Sequence, residues 1–302
     1  MKLLVVGHSV ADTIDFRNEI SSKPGGIFYS IAALNNFKKE IDKICLITAV
    51  DKKNYFLFEE EYKKIDVKIF NNVESVPKVH LKIEEDEERH EWYENINQHL
   101  VFDIKDLNVY DGIFINMITG FDITLEQLKE IRKNYKGSIY FDVHAFSRGL
   151  NEKMQRHFRV IPDFKEWASN LDIIQANKNE LKTLNKKETE REIIEEVFNC
   201  GIKYLIITLE DKGVEIFFKE NNLIKSFYEP AINIEVKNKV GCGDVFGALF
   251  FYSYISDGKE FPEHKKIIKA LKLANIGAGC VTAYDDMNKF KNLKNDVFTR
   301  LN

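Results

Sequence analysis

Apolar residues along the chain are grouped into short runs that are separated by longer amphipathic stretches. The runs cover residues 3–6, 44–48, 112–116, 138–143, 172–175 and 204–209. Short uninterrupted apolar runs are typical of strands that are covered on both faces, as in a parallel sheet. Two of the amphipathic stretches begin with a capping-box pattern, Thr124 to Gln127 and Thr189 to Glu192, which marks a helix start.

Strand and helix patterns alternate along most of the chain, which favours right-handed βαβ crossovers. The sequence has no internal repeat and no low-complexity linker. We therefore predict a single α/β domain over residues 1–302, with three layers built around a doubly wound, mostly parallel sheet.

Two segments interrupt this alternation. Residues 12–26 are too many for a simple turn between the first strand and the helix expected over 28–39. Residues 65–102 combine strand-like alternation at 79–83 with an acidic run at 84–88 that is typical of a solvated hairpin. We predict that segments at about 12–26 and 65–102 form a small β lid over one end of the sheet.

Composition narrows the class of protein. The chain is 44% apolar and 30% charged, as in globular proteins, and no apolar run reaches the roughly 18 residues needed to span a membrane. The N-terminus leads directly into a buried strand without a basic region or cleavage site, so we expect no secretion signal. A formal net charge of −4 without a basic block argues against a nucleic-acid surface. We expect a soluble protein that binds a small molecule, but neither nucleic acid nor membrane.

The cysteines carry no sign of a metal site or a disulfide framework. There are four, widely spaced and without a C-x-x-C pair: Cys45, Cys200, Cys242 and Cys280. This usage is typical of a reducing compartment, and we predict a cytoplasmic location.

The segment with the clearest chemistry is Val-Gly-Cys-Gly-Asp-Val-Phe-Gly at 240–247. Gly241 and Gly243 allow backbone amides to approach an anion closely, and the apolar run at 248–255 predicts a buried helix whose N-terminal amides face that anion. Asp244, in the first turn, is held ionised by the positive helix end and can accept a proton from a hydroxyl that attacks phosphorus. The same spacing also fits a plain helix cap.

Two other phosphate-binding motifs do not fit. In a dinucleotide fingerprint the third glycine would come one position earlier, and the motif would lie early in a βαβ unit rather than near the C-terminus. A Walker loop, G-x-x-x-x-G-K-[ST], is absent from the sequence.

Four segments together resemble the ribokinase or PfkB family of carbohydrate kinases, in matching order and spacing over nearly the whole chain. The segments are Val240–Asp244, which resembles the signature Gly-Ala-Gly-Asp with Cys242 in place of Ala; Pro24-Gly25-Gly26 followed by Ala32-Ala33, which resembles the N-terminal Gly-Gly motif; Asn177–Glu180, which matches N-x-x-E; and Thr208–Gly213, which resembles T-L-G-x-x-G. The resemblance implies a ribokinase-like fold and an ATP-dependent kinase that acts on a hydroxyl of a small sugar or sugar-like alcohol.

The resemblance also implies roles for residues on the phosphate side. Asp244 would be the catalytic base, and the amides of Gly241, Cys242 and Gly243 would stabilise the transferring phosphoryl group. Asn177 and Glu180, three residues apart, would share a helix face and hold Mg²⁺ through water, although Asn177 also fits a simple helix start.

On the nucleotide side, the resemblance implies that Thr208 and Gly213 border the ribose and phosphates of ATP. Asn275 lies in a helix of small residues that resembles the family's helix against adenine.

On the acceptor side, the resemblance places Asp12 against the sugar hydroxyls and gives the sugar close access to the backbone at Gly25 and Gly26. Ser30 stands where many relatives have Asn, and Asn116, at a strand end, is a further candidate for acceptor binding. His144 and Arg148, which follow a strand where relatives carry a D-x-N-x-R-like segment, are also candidates. Apolar Val10 and Ile27 replace residues that are polar in ribose enzymes, so we predict a sugar other than ribose.

Two alternatives remain open from the sequence. A nucleoside kinase of the same fold would pack Ile27 and Phe28 on a base. A regulatory protein would have kept the fold and the ligand site but lost turnover. The edge of the lid also suggests a possible homodimer.

Many relatives hold a monovalent cation with an Asp a few residues before the glycines. Here the corresponding stretch is Lys-Asn-Lys-Val at 237–240, in which a neutral Asn replaces that carboxylate. Because the cation would lose its counter-charge, we predict only a weak dependence of activity on potassium.

Overall fold

A three-layer α/β architecture, as predicted from the hydrophobic pattern, is present in the computed structural model of the protein. The structure describes residues 1–16, 19–83, 90–103, 105–257, 261–285 and 287–301. The strands are β1 (Lys2–Val6), β2 (Ser9–Phe16), β3 (Glu19–Gly26), β4 (Lys43–Val50), β5 (Val67–Asn72), β6 (Lys78–Ile83), β7 (His90–Glu94), β8 (Gly112–Asn116), β9 (Ser138–Asp142), β10 (Arg148–Leu150), β11 (Arg156–Phe158), β12 (Ile173–Asn177), β13 (Tyr204–Thr208), β14 (Gly213–Glu220) and β15 (Leu223–Pro230). The helices are α1 (Phe28–Phe37), α2 (Glu59–Tyr62), α3 (Leu125–Asn134), α4 (Phe164–Ala168), α5 (Lys178–Leu181), α6 (Glu190–Asn199), α7 (Cys242–Ser256), α8 (Glu263–Thr282) and α9 (Leu293–Leu301).

The main sheet has nine strands in the order β15-β14-β13-β12-β9-β8-β1-β4-β5. Neighbours from β13 to β5 are parallel, and β14 and β15 extend one edge antiparallel. The six predicted apolar runs correspond to β1, β4, β8, β9, β12 and β13, with ends that differ by up to two residues. Since these strands are buried between two helical layers, their side chains are apolar on both faces.

Two hydrophobic cores lie on opposite faces of this sheet. One contains the buried sides of α1, α7, α8 and α9, and the other contains those of α3, α4, α5 and α6. Both predicted capping boxes are confirmed, since the Thr124 hydroxyl accepts from the N–H of Gln127 and the Thr189 hydroxyl accepts from that of Glu192. None of the helices that the structure describes is both long and apolar enough to cross a bilayer.

The lid is a second sheet of four strands in the order β3-β2-β6-β7. Strand β2 pairs antiparallel with β3 and parallel with β6, which pairs antiparallel with β7. Residues 67–72, within the second predicted lid segment, instead form β5 and pair with β4 at the edge of the main sheet. The second part of the lid sheet therefore begins at Lys78 rather than at residue 65. The acidic run at 84–88 lies outside the described residues.

Candidate active site

Four polar residues end neighbouring strands of the main sheet. Asn116 ends β8, Asn177 ends β12 and Thr208 ends β13. Asp142, to which the sequence assigned no role, ends β9. Because the carboxyl ends of parallel strands meet at one edge, these residues border the crevice where open α/β sheets bind ligands.

The start of α7 meets this edge at the predicted anion-binding segment. Gly241 precedes the helix with a φ of +80°, and a Cβ at this position would lie 2.5 Å from the ring of Tyr29. Glycine is required here by both conformation and space. The N–H of Cys242 donates to the carbonyl of Lys239 at 3.3 Å, so one of the three predicted amide donors is already engaged within the loop.

Asp244, in the first turn of α7, is held by side chains from two other elements. Nδ2 of Asn116 donates to its Oδ1 at 2.7 Å, and the hydroxyl of Ser30 donates to its backbone carbonyl at 3.1 Å. Burial raises the pKa of the Asp244 carboxyl, against the opposing effects of the His144 charge, the Asn116 hydrogen bond and the Lys289 charge. A carboxylate with a raised pKa is a stronger base than an ordinary aspartate.

Asn116 and Ser30, predicted to bind the acceptor, are both fully buried and contact Asp244. Ser30 therefore supports the candidate base through the backbone. Oδ1 of Asn116 is buried and has no hydrogen-bond partner among the residues that the structure describes. This oxygen is a hydrogen-bond acceptor beside Asp244. Binding of the substrate that receives the phosphate by Asn116 and Ser30 stays a prediction.

Two further buried carboxyl groups lie close to Asp244. Burial raises the pKa of Asp142 well above its ordinary value, and the negative charges of Glu180 and Asp244 raise it further. Burial also raises the pKa of Glu180, against the charge of His144. The ligand atoms of Asp142, His144 and Asp244 lie within 4.8 Å of one another. The three carboxyl groups repel one another, so a bound cation would stabilise them in their ionised form.

Gln175 connects the Asp142 carboxyl group to the start of α7. Its Nε2 donates to Oδ2 of Asp142 at 2.9 Å and to the carbonyl of Gly243 at 3.2 Å, while its Oε1 accepts from the hydroxyl of Tyr140. Gln175 thereby fixes the strand end and the helix start relative to each other.

Asn177 and Glu180, predicted to hold Mg²⁺, form a capping box at the start of α5. Oδ1 of Asn177 accepts from the N–H groups of Asn179 and Glu180, both at 2.9 Å, and Oε2 of Glu180 accepts from the N–H of Asn177 at 2.8 Å. Asn177 therefore caps the start of α5, as the alternative interpretation of the sequence predicted. Glu180 retains a second carboxylate oxygen and lies near the other two carboxyl groups, so the metal role, still a prediction, fits Glu180 better than Asn177.

The three predicted nucleotide residues lie around the antiparallel edge of the sheet. Thr208 pairs with Asn177 in the next strand, and Gly213 begins β14 with a φ of +108°. A Cβ on Gly213 would lie 2.1 Å from the carbonyl oxygen of Glu229. Nδ2 of Asn275 donates to the carbonyl of Pro230 at 2.7 Å, which ties α8 to the end of β15. Contacts of these residues with ATP stay predictions.

A cavity of about 300 Å³ lies between the lid and the start of α7. Its size is at the lower end of the range for small-molecule sites. The lining residues come from the lid and the loop after β7, from α1, from the loops after β8 and β9, from the β10–β11 hairpin, and from the loop before α7 with its first turn: Val10, Asp12, Gly26, Tyr29, Val79, Tyr93, Ile96, Ile118, Thr119, His144, Ala145, Arg148, Arg156, Val240, Gly241 and Asp244. The candidate base and the predicted acceptor carboxylate therefore face one space.

The Gly-Gly motif makes room for Asp12. A Cβ on Gly25 would lie 2.6 Å from Oδ2 of Asp12, and Gly26 has a φ of +65° with His8 O only 2.4 Å from where its Cβ would be. The negative charges of Asp12 and Asp244 both raise the pKa of Tyr29, after burial. Tyr29 thus lies near both carboxylates of the cavity.

His144 and Arg148, the two further candidates from the sequence, both line the cavity. His144 has a φ of +37°, an uncommon conformation for a residue with a side chain. Its strained backbone turns the chain directly after the carboxyl end of β9.

Besides Asp142 and Gln175, sequence reasoning missed three more residues of this site. Tyr29 packs on Gly241, Arg156 lines the cavity, and Lys289, 3% exposed, places its Nζ 2.7 Å from the carbonyl oxygen of Val240. The Lys289 ammonium also lies 4.4 Å from the centre of the Tyr29 ring. Arg156 and Lys289 come from segments without a recognisable motif, and Tyr29, although it follows the Gly-Gly motif, is an aromatic residue in an apolar helix pattern, so no signal in the sequence indicated any of the three.

Ile27 and Phe28, on which the nucleoside alternative depended, are buried in the core. Phe28 packs against the rings of Phe58, Tyr62 and Phe290. Neither residue lines the cavity.

Comparisons with known proteins show a family match and a shared fold. A family model described as pfkB family carbohydrate kinase matches residues 124–289, more than half of the chain. No curated protein matches the chain. Similar solved structures include aminoimidazole riboside kinase from Salmonella enterica, complexed with aminoimidazole riboside and an ATP analog (18% identity, TM-score 0.75, 100% of each chain covered). They also include Arabidopsis thaliana ribokinase complexed with ribose and ATP (15%, 0.73, 98% of each chain). A third is a pyrophosphate-dependent kinase in the ribokinase family complexed with a pyrophosphate analog and myo-inositol (15%, 0.73, 97% of this chain and 99% of that chain).

Proposed function

The chain belongs to the pfkB family of carbohydrate kinases, and on that basis we propose that it transfers the γ-phosphate of ATP to a hydroxyl of a small sugar or sugar-like alcohol. The observation that carries this proposal is the placement of Asp244. Its carboxylate is hydrogen-bonded by Asn116, lies at the start of α7 and lines the cavity that Asp12 also lines. A hydroxyl bound there would have a base on one side and a phosphate-binding helix start beside it.

Asp244 would act as the general base. The acceptor oxygen forms a bond to the γ-phosphorus, the bond from that phosphorus to the β,γ-bridging oxygen breaks, and ADP leaves with the bond's electrons. The hydroxyl proton passes to the Asp244 carboxylate. Asn116 keeps this carboxylate oriented, because its amide donates to one oxygen and leaves the other for the proton.

The start of α7 would stabilise the negative charge on the transferring group. The first backbone N–H groups of a helix lack partners within the helix, and the amides of Gly241 and Gly243 belong to this region. Gly241 brings the backbone close to the ligand because it carries no side chain. The N–H of Cys242 already donates to the carbonyl of Lys239, so the amides of Gly241 and Gly243 would provide most of this stabilisation.

Mg²⁺ fits the carboxyl groups at this edge, since hard cations prefer carboxylate oxygens. Glu180 and Asp142 are the residues that would hold it, with the phosphates of the nucleotide and with water. When bound, Mg²⁺ would neutralise charge on those phosphates. The raised pKa values of Asp142 and Glu180 mean that burial disfavours their ionised forms. A bound cation would offset that cost, which supports this assignment.

The nucleotide would bind beside Thr208 and Gly213, with its base near Asn275. Asp12 and the backbone at Gly26 would bind the hydroxyls of the acceptor, and Tyr29 would separate the two carboxylates of the cavity.

A screen of acceptors with detection of ADP tests this function. Sugars, polyols and nucleosides are each offered with ATP and Mg²⁺, and in parallel with pyrophosphate as donor. We expect ADP release with at least one sugar-like acceptor, and none with the matched variant Asp244→Asn. Turnover with pyrophosphate alone, or with nucleosides alone, would contradict the proposed donor or acceptor.

A further inference from the structure

Two arginines form one wall of the acceptor cavity. Arg148 begins β10 and Arg156 begins β11, and the two strands form a short antiparallel hairpin. In its register Arg148 pairs with Phe158 and Arg156 pairs with Leu150. The two arginines are therefore diagonal neighbours on the same face of the hairpin, with about 7–8 Å between such positions. Both side chains line the cavity.

The Arg156 guanidinium is fixed by contacts on the acceptor side of the cavity. Its Nη2 donates to the carbonyl of Thr119 at 2.9 Å and its Nη1 to that of Ala145 at 3.3 Å. It also lies 4.4 Å from the centre of the Tyr93 ring, which belongs to the lid. The guanidinium is therefore held in place before any ligand binds.

Arg148 is held over the ring of Phe158, 4.9 Å from its centre. Its Nε is buried and has no hydrogen-bond partner within the described parts of the chain. A buried guanidinium N–H without a partner costs free energy that a bound anion would recover. The charge of Arg148 acts on Glu180, whereas His144 and Lys289 are the positive groups that act most on Asp244.

A neutral sugar would leave this wall poorly matched. Guanidinium groups remain charged at all physiological pH values, and their paired N–H groups fit the oxygens of a phosphate or a carboxylate. Hydroxyls satisfy them less well. Asp12 and Asp244, the two lining carboxylates, already have roles with the acceptor hydroxyls.

We propose that the acceptor is an anionic sugar, whose phosphate or carboxylate group is bound by Arg148 and Arg156 while its reacting hydroxyl lies at Asp244. This inference rests on the proposed kinase function, and it assigns the substrate class of the same site.

Matched pairs of acceptors test the inference in the full chain. A hexose is compared with its 6-phosphate and with its uronic acid, and kcat/KM is measured with ATP and Mg²⁺ by ADP detection. We expect the anionic member of at least one pair to be preferred at least about tenfold, the scale of one good charged contact. The phosphate and uronate arms identify which anion the site takes.

Variants of the two arginines separate this role from a structural one. Arg156→Gln and Arg148→Gln should lower kcat/KM for the anionic acceptor about tenfold or more, mainly through KM, and should lower that for the neutral partner by a clearly smaller factor, so that the preference for the anion falls. Arg156→Lys keeps the charge but not the paired N–H donors of the guanidinium group. Its kcat/KM for the anionic acceptor should therefore lie between those of the wild type and Arg156→Gln. Arg159→Gln, in the same segment but outside the cavity lining, is the matched control and should keep the preference.

A binding measurement keeps the two proposals distinguishable. The shift in Tm caused by the hexose and by its 6-phosphate is recorded for the wild type and for Arg156→Gln. Turnover of neutral sugars without a preference for the anion, or equal losses for both acceptors in the arginine variants, overturns the inference and leaves the kinase function standing. An Arg156-dependent shift with the 6-phosphate but no ADP from any acceptor overturns the kinase function and leaves the anion site standing. Absence of both signals overturns both.

Discussion

The two ends of the cavity are built in different ways. At the phosphate end, one continuous segment, 240–247, supplies the helix start, both glycines and Asp244, and strand ends of a rigid sheet support it. At the acceptor end, the lining comes from all four strands of the lid, α1, the loop after β7, the loops after β8 and β9, and the β10–β11 hairpin. Phosphate chemistry thus depends on a local motif, whereas recognition of the acceptor depends on how distant segments fold together.

The difference predicts how the two ends respond to substitution. Changes at the phosphate end should abolish turnover of every acceptor, because all acceptors share the same transfer step. Changes at the acceptor end should alter which molecule binds and how tightly, with less effect on the donor.

The largest effect is expected at the phosphate end, from Asp244→Asn. The substitution removes the base while preserving shape and the ability to receive the Asn116 hydrogen bond, so turnover should fall at least about 10²-fold. Folding, followed by circular dichroism, and ATP binding, followed by calorimetry, should be nearly unchanged. Near-normal turnover would remove Asp244 from the role of base.

At the acceptor end, Asp12→Ala should weaken the acceptor far more than ATP. Losing charged hydrogen bonds costs about 1.5–3 kcal/mol, which corresponds to a rise in the acceptor KM of roughly 10- to 100-fold. The KM for ATP, measured at saturating acceptor, should change little. Equal changes in both constants would show that the two ends are not separate and that Asp12 instead supports the lid.

The same contrast explains what could be predicted from the sequence. The main sheet was predictable because each buried parallel strand is an apolar run, and β5 was misplaced into the lid because an edge strand is less apolar and shows no such run. Asp244 and the glycines were found because they lie within a few residues of one another. Arg156 reaches the cavity, and Lys289 reaches the carbonyl of Val240, only through the tertiary fold, and in the sequence both look like ordinary surface cations.

A smaller effect, on stability, is expected from Asp142, whose carboxyl group is joined to the phosphate end through Gln175. The pKa of Asp142 in the folded protein lies above its ordinary value, so ionising it costs free energy that is absent at low pH and grows as the pH rises through its ordinary range toward the folded value. Asp142→Asn removes this cost and can keep the contact with Gln175. Without nucleotide and in a chelator, the variant should be more stable than the wild type at pH 7.

Thermal unfolding at pH 7 and pH 4 measures this effect. The gain in Tm should be present at pH 7 and much smaller at pH 4, whereas the matched control Asp211→Asn, at an exposed position, should show little change at either pH. A loss of stability at pH 7 would mean that Asp142 is ionised and favourably paired in the folded protein.

The smallest effect is expected from potassium, because the phosphate end holds a positive charge of its own. Nζ of Lys289 lies 2.7 Å from the carbonyl oxygen of Val240, so an ammonium group already lies against the anion-binding loop. Asn238 is engaged with the backbone of Val240 and Asp285, and Lys239 pairs with exposed Glu210 rather than with the loop.

Burial lowers the pKa of Lys289 only to about 8, so its side chain is still protonated at pH 7. At this pH, turnover in sodium, potassium and tetramethylammonium buffers of equal ionic strength should therefore agree within about twofold. Lys289→Met keeps the length and apolar packing of the side chain but removes the charge, so its turnover should be lower and should rise with potassium. A large, saturable and potassium-specific rise in the wild type would show that a bound cation, and not Lys289, supplies the charge at this loop.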